Sequence, residues 1–531
     1  MPQLVIDGRR IEVPANTNLI EAARLAGIDI PYFCYHPYLT VVGQCRICLV
    51  EIEGQPRLAI ACATPAAEGM IVRSETSPRV KEAREAVMEF LLANHPLDCP
   101  VCDQAGECLL QDHSMAEQGN RFATHMVETR RTFPGFERRL IGPHVVQNQN
   151  RCIHCSRCIR VTREISETSA LTYKSRGNST YIDTFDGGPF DDPFSACAAD
   201  VCPVGALTIR EFRFRKRAWK LRSTPSVCPG CSIGCNIWID HDERLVYRFT
   251  PRENPDVNAT WLCDYGRFLA DSLNEEPATA VRHRVSGESL AVSRKEALLA
   301  IGQELRTART LHIVASANLS TEELFLAREL FAGELKGELV VPVDPGQPKR
   351  MKNGRGEWLN ASDAHPNSSG ARLLGLTIVD GERLRGFLGE AADLTVLLDP
   401  TAHPFLATDE ALRSLRPRPT LVIGRGSHAM ADLATWLVPG ATQACNEGTF
   451  VSSLGALQRF SAAFAPSGEE RPLWRILTWL AAALGASQLA LSQPAEVFSL
   501  MASREKAFFG ASWGSPETAG IEPPGEHQHV G

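Results

Sequence analysis

The sequence has little that would favour nucleic-acid binding, a membrane span or export. Acidic residues outnumber basic ones, 62 to 55, so the net charge of -7 provides no basic field for a phosphate backbone. The first residues, MPQLVIDGRRIEVP, lack the apolar segment of a secretory signal. The apolar stretch ILTWLAAALGASQLAL (476–491) is too short and interrupted to cross a membrane, and predicts a buried helix. We therefore expect a cytoplasmic protein without a membrane span.

Cysteine is almost absent from the second half of the chain. Of the 17 cysteines, only Cys445 follows Cys263. In a reducing compartment, closely spaced cysteines are more often metal ligands than disulfide partners. The sequence therefore predicts a metal-binding half followed by a half without metal ligands, in which Cys445 is an ordinary buried thiol.

The N-terminal pattern predicts a small sheet with one helix. LVIDGRRIEV alternates apolar and polar residues around Asp7-Gly8, which is typical of a β-hairpin. Asn18 is a candidate N-cap for a helix that Gly27 ends. Residues 78–94 have helical spacing behind Ser77, with an apolar face that includes Phe90.

The second half alternates apolar strands with helices, which predicts an α/β domain with a largely parallel sheet. Ser320 and Glu323 form a predicted capping box after the strand in TLHIVASAN. Residues 353–370, rich in Asn, Ser and Gly, are expected to form a long surface loop. The basic run REFRFRKRAWKLR (210–222) is expected to be a connector docked on acidic protein surface.

The first cysteine set lies in the N-terminal domain and comprises Cys34, Cys45, Cys48 and Cys62. Its core, GQCRICLVE, resembles the [2Fe–2S] loop of plant-type ferredoxins, although ten residues separate the first two cysteines instead of four. A lone C-x2-C pair also suits structural zinc. The preceding sheet-and-helix pattern favours [2Fe–2S].

The second set, in NHPLDCPVCDQAGECLLQD (94–112), has three cysteines: Cys99, Cys102 and Cys108. His95 and His113 are the candidate fourth ligands. Pro96 and Pro100 prevent a regular helix and allow His95 to fold back over the cysteines, so we choose His95. A zinc site with three cysteines and one histidine fits the bare spacing equally well.

The third and fourth sets have more specific spacing. RCIHCSRC supplies Cys152, Cys155 and Cys158, and Cys202 precedes a proline, as in bacterial ferredoxins. Cys197 falls out of register with this set. CPGCSIGC supplies ligands that resemble the [4Fe–4S] module of molybdopterin oxidoreductases, and a zinc ribbon would use paired C-x2-C instead. The fourth set is Cys228, Cys231, Cys235 and Cys263.

The four sets in this order, followed by an α/β remnant, resemble the G-subunit family of bacterial NADH-quinone oxidoreductase, respiratory complex I. Farther on, LVPGATQACNEGTFVSSLGALQRF (437–460) resembles a late molybdopterin-oxidoreductase segment kept in that family. The resemblance implies a multidomain α+β and α/β fold. Its parts would be a β-grasp [2Fe–2S] ferredoxin-type domain (1–78), a [4Fe–4S] domain with one histidine and three cysteine ligands (79–140), a ferredoxin-like [4Fe–4S] domain (141–220), a molybdopterin-oxidoreductase-type [4Fe–4S] domain (221–275), a truncated molybdopterin-oxidoreductase-like α/β domain (276–515) and a disordered tail (516–531).

The resemblance also implies the cofactors and their ligands. One [2Fe–2S] cluster would be bound by the first set, and three [4Fe–4S] clusters by the others, with His95 in the second. Electrons would come from NADH through flavin on a neighbouring subunit and leave toward quinone. The fourth cluster occurs only in some members and lies off that route. The chain would have no substrate site of its own.

The implied partners are the other peripheral-arm subunits of complex I, on the cytoplasmic side of the inner (plasma) membrane. Two rival functions share some of these motifs. A formate dehydrogenase or hydrogenase subunit would need further metal ligands in the second half, where only Cys445 lies, so no molybdopterin is expected. A non-catalytic zinc scaffold does not account for the ferredoxin-type Cys-Pro.

Overall fold

The computed structural model describes residues 1–118, 130–274, 278–346, 349–425, 429–514 and 519–520. The chain forms two compact units, Met1–Leu221 and Arg222–Gly531. The first unit contains the first three cysteine sets, and the second contains the fourth set and the α/β region.

A five-stranded sheet and one helix form the N-terminal part of the first unit. The strand order is β2-β1-β5-β3-β4, and β1 pairs antiparallel with β2 and parallel with β5. The predicted hairpin is confirmed, with Asp7 and Gly8 both at positive φ. The predicted cap is confirmed because Asn18 accepts a hydrogen bond from the Glu21 N–H at 3.0 Å. The elements are β1 (Gln3–Ile6), β2 (Arg9–Glu12), α1 (Leu19–Leu25), β3 (Leu49–Ile52), β4 (Ala59–Ile60) and β5 (Ile71–Arg73).

Two helices flank the second cysteine set: α2 (Pro78–Asn94) and α3 (Leu109–Gln118). Helix α2 has the predicted bounds, and Ser77 caps it by accepting from the Val80 N–H. The predicted apolar face is only partly correct. Val80 and Met88 are fully buried, whereas Phe90 is 81% exposed. The buried face of α2 also includes Arg84, which donates to the Leu49 carbonyl at 3.0 Å.

The remainder of the first unit surrounds the third set. Helix α4 carries Cys158, and α5 ends just before Cys202. Both helices pack in one apolar cluster with α2. The elements are β6 (Arg139–Leu140), β7 (Val145–Gln147), α4 (Arg157–Glu164), β8 (Leu171–Lys174), β9 (Tyr181–Thr184), α5 (Ser195–Asp200) and β10 (Leu207–Ile209).

The second unit begins with an antiparallel three-stranded sheet and a short helix that carry the fourth set: β11 (Arg222–Val227), β12 (Asn236–Asp242), β13 (Leu245–Pro251) and α6 (Asp264–Arg267). The α/β region follows, and its elements are β14 (Val281–Val285), β15 (Glu288–Val292), α7 (Arg294–Thr307), β16 (Leu311–Ala315), α8 (Thr321–Ala327), β17 (Glu338–Pro342), β18 (Arg350–Lys352), β19 (Trp358–Asn360), α9 (Ser368–Leu373), β20 (Thr377–Val379), α10 (Gly381–Gly389), β21 (Leu394–Leu398), α11 (Asp409–Leu415), β22 (Thr420–Gly424) and β23 (Trp436–Pro439).

These strands form an eight-stranded sheet of order β15-β14-β23-β22-β21-β16-β17-β20. The six strands from β23 to β20 are parallel, as the alternation predicts, and β14 and β15 are antiparallel at one edge. Strands β16, β21 and β22 are buried at every residue. A parallel sheet buried on both faces needs such continuous apolar strands.

The chain ends with β24 (Gly448–Val451), β25 (Ala456–Phe460), α12 (Leu473–Ala483), α13 (Pro494–Arg504) and β26 (Ala519–Gly520). Helix α12 is the predicted buried helix, although it stops before Gly485, which has a φ of 76°. Of the predicted disordered tail (516–531), residues 519–520 pair with β25. The rest of that tail lies outside the described residues.

The prediction of a long surface loop over residues 353–370 is wrong. Residues 358–360 form a strand, and Asp363, His365 and Asn367 are buried. Asn367 donates to the Leu319 carbonyl at 2.8 Å, so its polar side chain anchors the segment inside the unit.

In the described part of the chain, no helix has the length and hydropathy that a membrane crossing requires.

Candidate metal centres

The first set brings together cysteines from three segments of the N-terminal domain. Cys34 follows α1, Cys45 and Cys48 precede β3, and Cys62 lies in a turn after β4. The Cys45 N–H donates to the Cys34 sulfur at 3.5 Å. Hydrogen bonds within the set lower the pKa of the Cys34 thiol and raise the pKa of its partners Cys45 and Cys62. The protein alone therefore favours the thiolate, which is the form that binds metal, at Cys34 but not at Cys45 or Cys62.

The loop around Cys45 needs unusual backbone conformations. Gly43 and Arg46 have φ values of 59° and 63°, in the left-handed region. The left-handed conformation at position 43 favours glycine, and a Cβ atom there would also lie 2.7 Å from Ile60 Cδ1, so the Ile60 side chain would have to move. The two left-handed residues turn the chain tightly about Cys45.

The second set is assembled at the end of α2. His95 is the C-cap of that helix, and its Nδ1 atom is buried without a hydrogen-bond partner. Burial lowers the pKa of His95 to about 4, so its imidazole is neutral, as metal binding requires. Cys102 and Cys108 are buried, whereas Cys99 is exposed.

His113, the other candidate ligand, is engaged elsewhere. Its Nε2 atom accepts a hydrogen bond from the Tyr32 N–H at 3.4 Å, and its ring packs edge-on against Phe33. Through these contacts, the His113 ring is bound to the segment that directly precedes Cys34 of the first set. His95 has a buried ring nitrogen without a hydrogen-bond partner, so it stays the candidate fourth ligand.

The third set lines one internal cavity. The side chains of its four cysteines lie around this space together with Pro203 and other residues. Burial raises the pKa of Cys152 to about 12 and that of Cys155 to about 11. Because the protein alone does not favour these thiolates, metal binding there must displace protons.

Two residues near the third set have structural roles. The His154 carbonyl accepts hydrogen bonds from Tyr173 Oη at 2.8 Å and Gln44 Nε2 at 2.7 Å. Cys197 is fully buried within α5, and its carbonyl accepts a hydrogen bond at 3.1 Å from the N–H of Val201, the residue before Cys202. Gln44 is adjacent to Cys45, so its hydrogen bond joins the loops of the first and third sets.

The second and third sets are also in contact. The Cys108 sulfur lies 3.6 Å from the Pro203 carbonyl oxygen. A Cβ atom at Gly205 would lie only 2.2 Å from the Cys102 sulfur. Residues next to the ligands of the third set therefore touch both other sets, although the third set comes last of the three in the sequence.

The basic connector (210–222) docks on the second set. Arg217 donates to the carbonyl oxygens of Pro100 and Cys102, both at 2.6 Å. The Phe214 N–H donates to the Asp103 carboxylate at 2.8 Å. The expected docking on protein is found: Arg217 binds backbone carbonyls of the cysteine loop, and the acidic side chain of Asp103 accepts from the connector's backbone.

The fourth set, in the second unit, joins the β11–β12 loop to α6. Cys263 caps α6 by accepting from the Gly266 N–H at 3.4 Å. A Cβ atom at Gly266 would lie 2.7 Å from the Cys228 sulfur, which makes glycine necessary beside the cysteines. Burial raises the pKa of Cys231 to about 11.

A cavity of about 650 Å³ lies beside the fourth set, at the carboxyl ends of the parallel strands. Pro229 and Tyr265, which neighbour ligands of that set, are part of its wall. Lys349, also in the wall, donates to the Gly230 carbonyl at 3.3 Å, and Nζ lies 3.3 Å from the Tyr265 ring centroid. No sequence pattern predicts this cavity, because its wall comes from many separate loops.

The donor chemistry of the four sets fits iron–sulfur clusters. Thiolates bind iron in such clusters, and a buried neutral imidazole can replace one of them. The glycines at 205 and 266 let backbone approach ligand sulfurs closely. Within the described ranges, no three His, Cys, Asp or Glu side chains converge closely enough to hold a single metal ion.

Four family models match the chain. Residues 2–77 match a 2Fe-2S iron-sulfur cluster binding domain, and residues 84–118 match the NADH-ubiquinone oxidoreductase-G iron-sulfur binding region. Residues 142–208 match the ferredoxin-like domain of NADH-quinone oxidoreductase subunit 3. Residues 221–271 match the NADH-ubiquinone oxidoreductase NDSU1/NuoG-like, 4Fe-4S domain. The chain thus contains both 2Fe-2S and 4Fe-4S binding domains.

Similar proteins have consistent names. The mitochondrial NADH-ubiquinone oxidoreductase 78 kDa subunit of Neurospora crassa is 41% identical over 66% of this chain and 47% of its own length. The NADH-quinone oxidoreductase G subunit of Rickettsia bellii is 39% identical over 62% of this chain and 48% of its own length. The chain therefore spans about half the length of the curated relatives it matches.

A solved structure of an NAD+-reducing [NiFe]-hydrogenase in the H2-reduced state is 31% identical over 41% of this chain and 91% of that chain, with a TM-score of 0.36. A TM-score this low does not define a common fold. The family models and the named relatives agree with each other along the cysteine-rich part of the chain. Through these iron–sulfur segments, the chain is similar to NADH-quinone oxidoreductase G subunits and to the mitochondrial 75/78 kDa subunits.

Proposed function

We propose that the chain is the iron–sulfur electron-transfer subunit of an NADH-quinone oxidoreductase, respiratory complex I. It would relay electrons from the NADH- and flavin-binding subunit toward quinone in a proton-translocating complex. The observation that carries this proposal is the continuous contact among the first three sets. Gln44 joins the first set to the third, and Pro203 joins the third to the second.

The proposed ligands are the residues of the four sets, as predicted from the sequence. The first would hold one [2Fe–2S] cluster and the others one [4Fe–4S] cluster each, with His95 as the single nitrogen ligand. When bound, these clusters supply one-electron oxidation and reduction. The protein holds the ligand loops rigidly, with carbonyl and amide hydrogen bonds, and buries most of the sulfurs.

The contacts support a spatial order of first, third and second set. The sequence order alone suggests first, second and third. The third set touches both neighbours beside its proposed ligands, whereas the second set meets the segment before Cys34 through His113, five positions after Cys108. We therefore infer that the third set is the intermediate site. Cys99 in the second set is exposed, which suits electron exchange with another protein at the end of the series.

The proposed partners are the flavin-binding subunit and the quinone-side [4Fe–4S] subunits of the peripheral arm. The proposed location is the cytoplasmic side of the inner (plasma) membrane, where the chain is held through the complex. The net charge of -7 and the docked basic connector support protein partners over nucleic acid. The proposed domain bounds are those that the family resemblance implies.

One observation favours a second candidate function. The cavity of about 650 Å³ beside the fourth set has the size of a small-molecule site. A formate dehydrogenase or related catalytic subunit would use such a cavity for a metal-containing cofactor. We propose instead that the α/β region is a truncated molybdopterin-oxidoreductase-like scaffold without molybdopterin.

Metal analysis of the purified full-length chain, prepared anaerobically, tests these alternatives. The proposed function predicts about 14 iron atoms per chain and no molybdenum or tungsten. Stoichiometric molybdenum or tungsten would support the catalytic alternative. Zinc in place of iron would contradict both and support a zinc scaffold.

A further inference from the structure

Helix α4, in the third set, carries two buried arginines. Arg157 and Arg160 are 4% and 1% exposed, and both lie within two residues of Cys158. Burying a guanidinium group is unfavourable unless hydrogen bonds and negative charge compensate. Their surroundings therefore need a physical explanation.

Arg160 reaches into the loop of the first set. Its Nη2 atom donates to the carbonyl oxygen of Cys34, a proposed cluster ligand, and its Nη1 atom donates to the Thr40 carbonyl at 2.5 Å. The two bonds fix both ends of the loop from 34 to 40. One side chain of the third set thus holds the ligand loop of the first.

Arg157 spans both sets. Its Nη2 atom donates to the carbonyl of Tyr35, next to Cys34, and its Nη1 atom donates to the Val201 carbonyl at 3.2 Å, next to Cys202. The guanidinium also lies over the Tyr32 ring, 5.6 Å from its centroid. Arg157 is therefore hydrogen-bonded beside ligands of both sets at once.

Neither guanidinium has a carboxylate partner among the residues that the structure describes. Glu164, on the same helix, instead accepts from the Thr40 N–H at 2.8 Å and from Thr40 Oγ1 at 2.6 Å. The Nε atoms of both arginines are buried without a partner. Burial lowers the pKa of Arg157, and the nearby thiols of Cys155 and Cys202 and the Tyr32 phenol oppose this shift.

We propose that Arg157 and Arg160 are positioning residues that hold the first set against the third and raise the reduction potential of the [2Fe–2S] group at the first set. The inference rests on the proposed function for the identity of that group. The deprotonated cysteine ligands of both sets would supply the negative charge that two buried arginines require, in addition to the backbone carbonyls that accept their hydrogen bonds. The two arginines also link the two sets electrostatically.

The direction of the effect follows from charge. Reduction adds one electron, and a fixed positive charge nearby favours the more negative state. The hydrogen bond to the Cys34 carbonyl acts in the same direction, since it places donor charge beside a ligand residue. Removing either positive charge should therefore make the first site harder to reduce.

The test is an EPR redox titration of the [2Fe–2S] signal in the purified, cluster-loaded full-length chain. Arg160→Gln and Arg157→Gln remove one charge each and should lower the reduced-to-oxidised ratio at a fixed potential at least tenfold, which is 59 mV for a one-electron couple. Arg160→Lys keeps the charge and should stay within threefold of wild type. Arg73→Gln is the control, because Arg73 lies in the same unit, pairs with Glu53 on the surface and has a side chain that is 50% exposed.

The outcomes separate this inference from the proposed function. A wild-type chain without iron or a [2Fe–2S] signal contradicts the proposed function itself. A wild-type signal whose potential is unchanged in both glutamine variants overturns the role of the arginines. If the glutamine variants do not assemble the signal, Arg160→Lys decides: a tenfold loss there overturns the charge argument, and a near wild-type potential upholds it.

Discussion

Arg151 Nε donates to the Asp98 carboxylate at 3.0 Å, and each of these residues directly precedes the first cysteine of a different set. The Arg151 side chain is 6% exposed and that of Asp98 is 34% exposed. Arg151 also donates to the Val101 carbonyl at 3.5 Å. This ion pair is thus a direct connection between the second and third sets.

Replacing Arg151 by Gln should destabilise the first unit by about 1–3 kcal/mol, because a charged hydrogen bond is lost and Asp98 keeps an uncompensated charge. Urea unfolding followed by circular dichroism measures this change. Arg210→Gln removes an arginine whose ion pair with Glu211 is on the surface, with the Arg210 side chain 51% exposed. That control should change stability by less than about 0.5 kcal/mol, and an equal loss in both variants would argue against a special role for Arg151.

His95 and His113 can be separated by substitution. His95→Ala should remove or alter one [4Fe–4S] EPR signal, whereas His113→Ala should keep all the signals, because it loses only its contacts with Tyr32 and Phe33. His95→Cys should keep the cluster and lower its potential, since a thiolate restores a negative charge. An unchanged titration in His95→Cys would mean that His95 is not a ligand.

Iron content distinguishes the proposed ligand cysteines from Cys197 and Cys445, the two cysteines outside the four sets. Cys202→Ala should reduce the iron from about 14 to about 10 atoms per chain, by loss of one [4Fe–4S] cluster. Cys197→Ala and Cys445→Ala should keep the full content, because neither belongs to a set. Colorimetric iron analysis of the three purified variants measures this. Equal losses in all three would point to general misfolding and not to lost ligation.

Glu322 should make the stability of the second unit depend on pH. It is completely buried, and burial raises its pKa from 4.5 to about 7. The folded state therefore binds the proton more tightly than the unfolded state. Its contribution is fully present below pH 4.5 and is lost as pH rises to about 7, by up to about 3 kcal/mol.

Glu322→Gln should flatten this dependence. The uncharged amide can still bond Thr449, whose N–H and Oγ1 contact Glu322 at 2.9 and 2.7 Å. Thermal unfolding between pH 5 and 8 compares the variants. Glu410→Gln, which removes a carboxylate that is 51% exposed, should keep the wild-type slope. A wild-type slope in Glu322→Gln would assign the pH dependence to other groups.

Local features could be predicted where one short segment determines them. The Asp7-Gly8 hairpin, the Asn18 cap and the Ser320 capping box depend on residues a few positions apart, and all are present. The ligand sets are recognisable for the same reason, since cysteine spacing is itself the signal. The assignment of each ligand to a cluster stays a prediction.

Features that depend on distant residues could not be predicted. Phe90 has the right helical spacing, but the buried face of α2 is rotated toward Arg84, which bonds to β3. Polar residues over 353–370 indicate a loop, yet Asn367 finds acceptors inside the unit. The central position of the third set depends on Gln44 and Pro203, which no sequence spacing connects to one another.

The exposure of Cys99 has a further consequence for handling the protein. An accessible thiolate is the first to meet molecular oxygen or peroxide, and sulfur oxidation removes it as a ligand. Air should therefore bleach the cluster proposed for the second set before the clusters proposed for the buried sets. The exposure of a ligand sulfur suits a site for passing electrons to another protein. The same exposure makes that site the most vulnerable to oxidative damage.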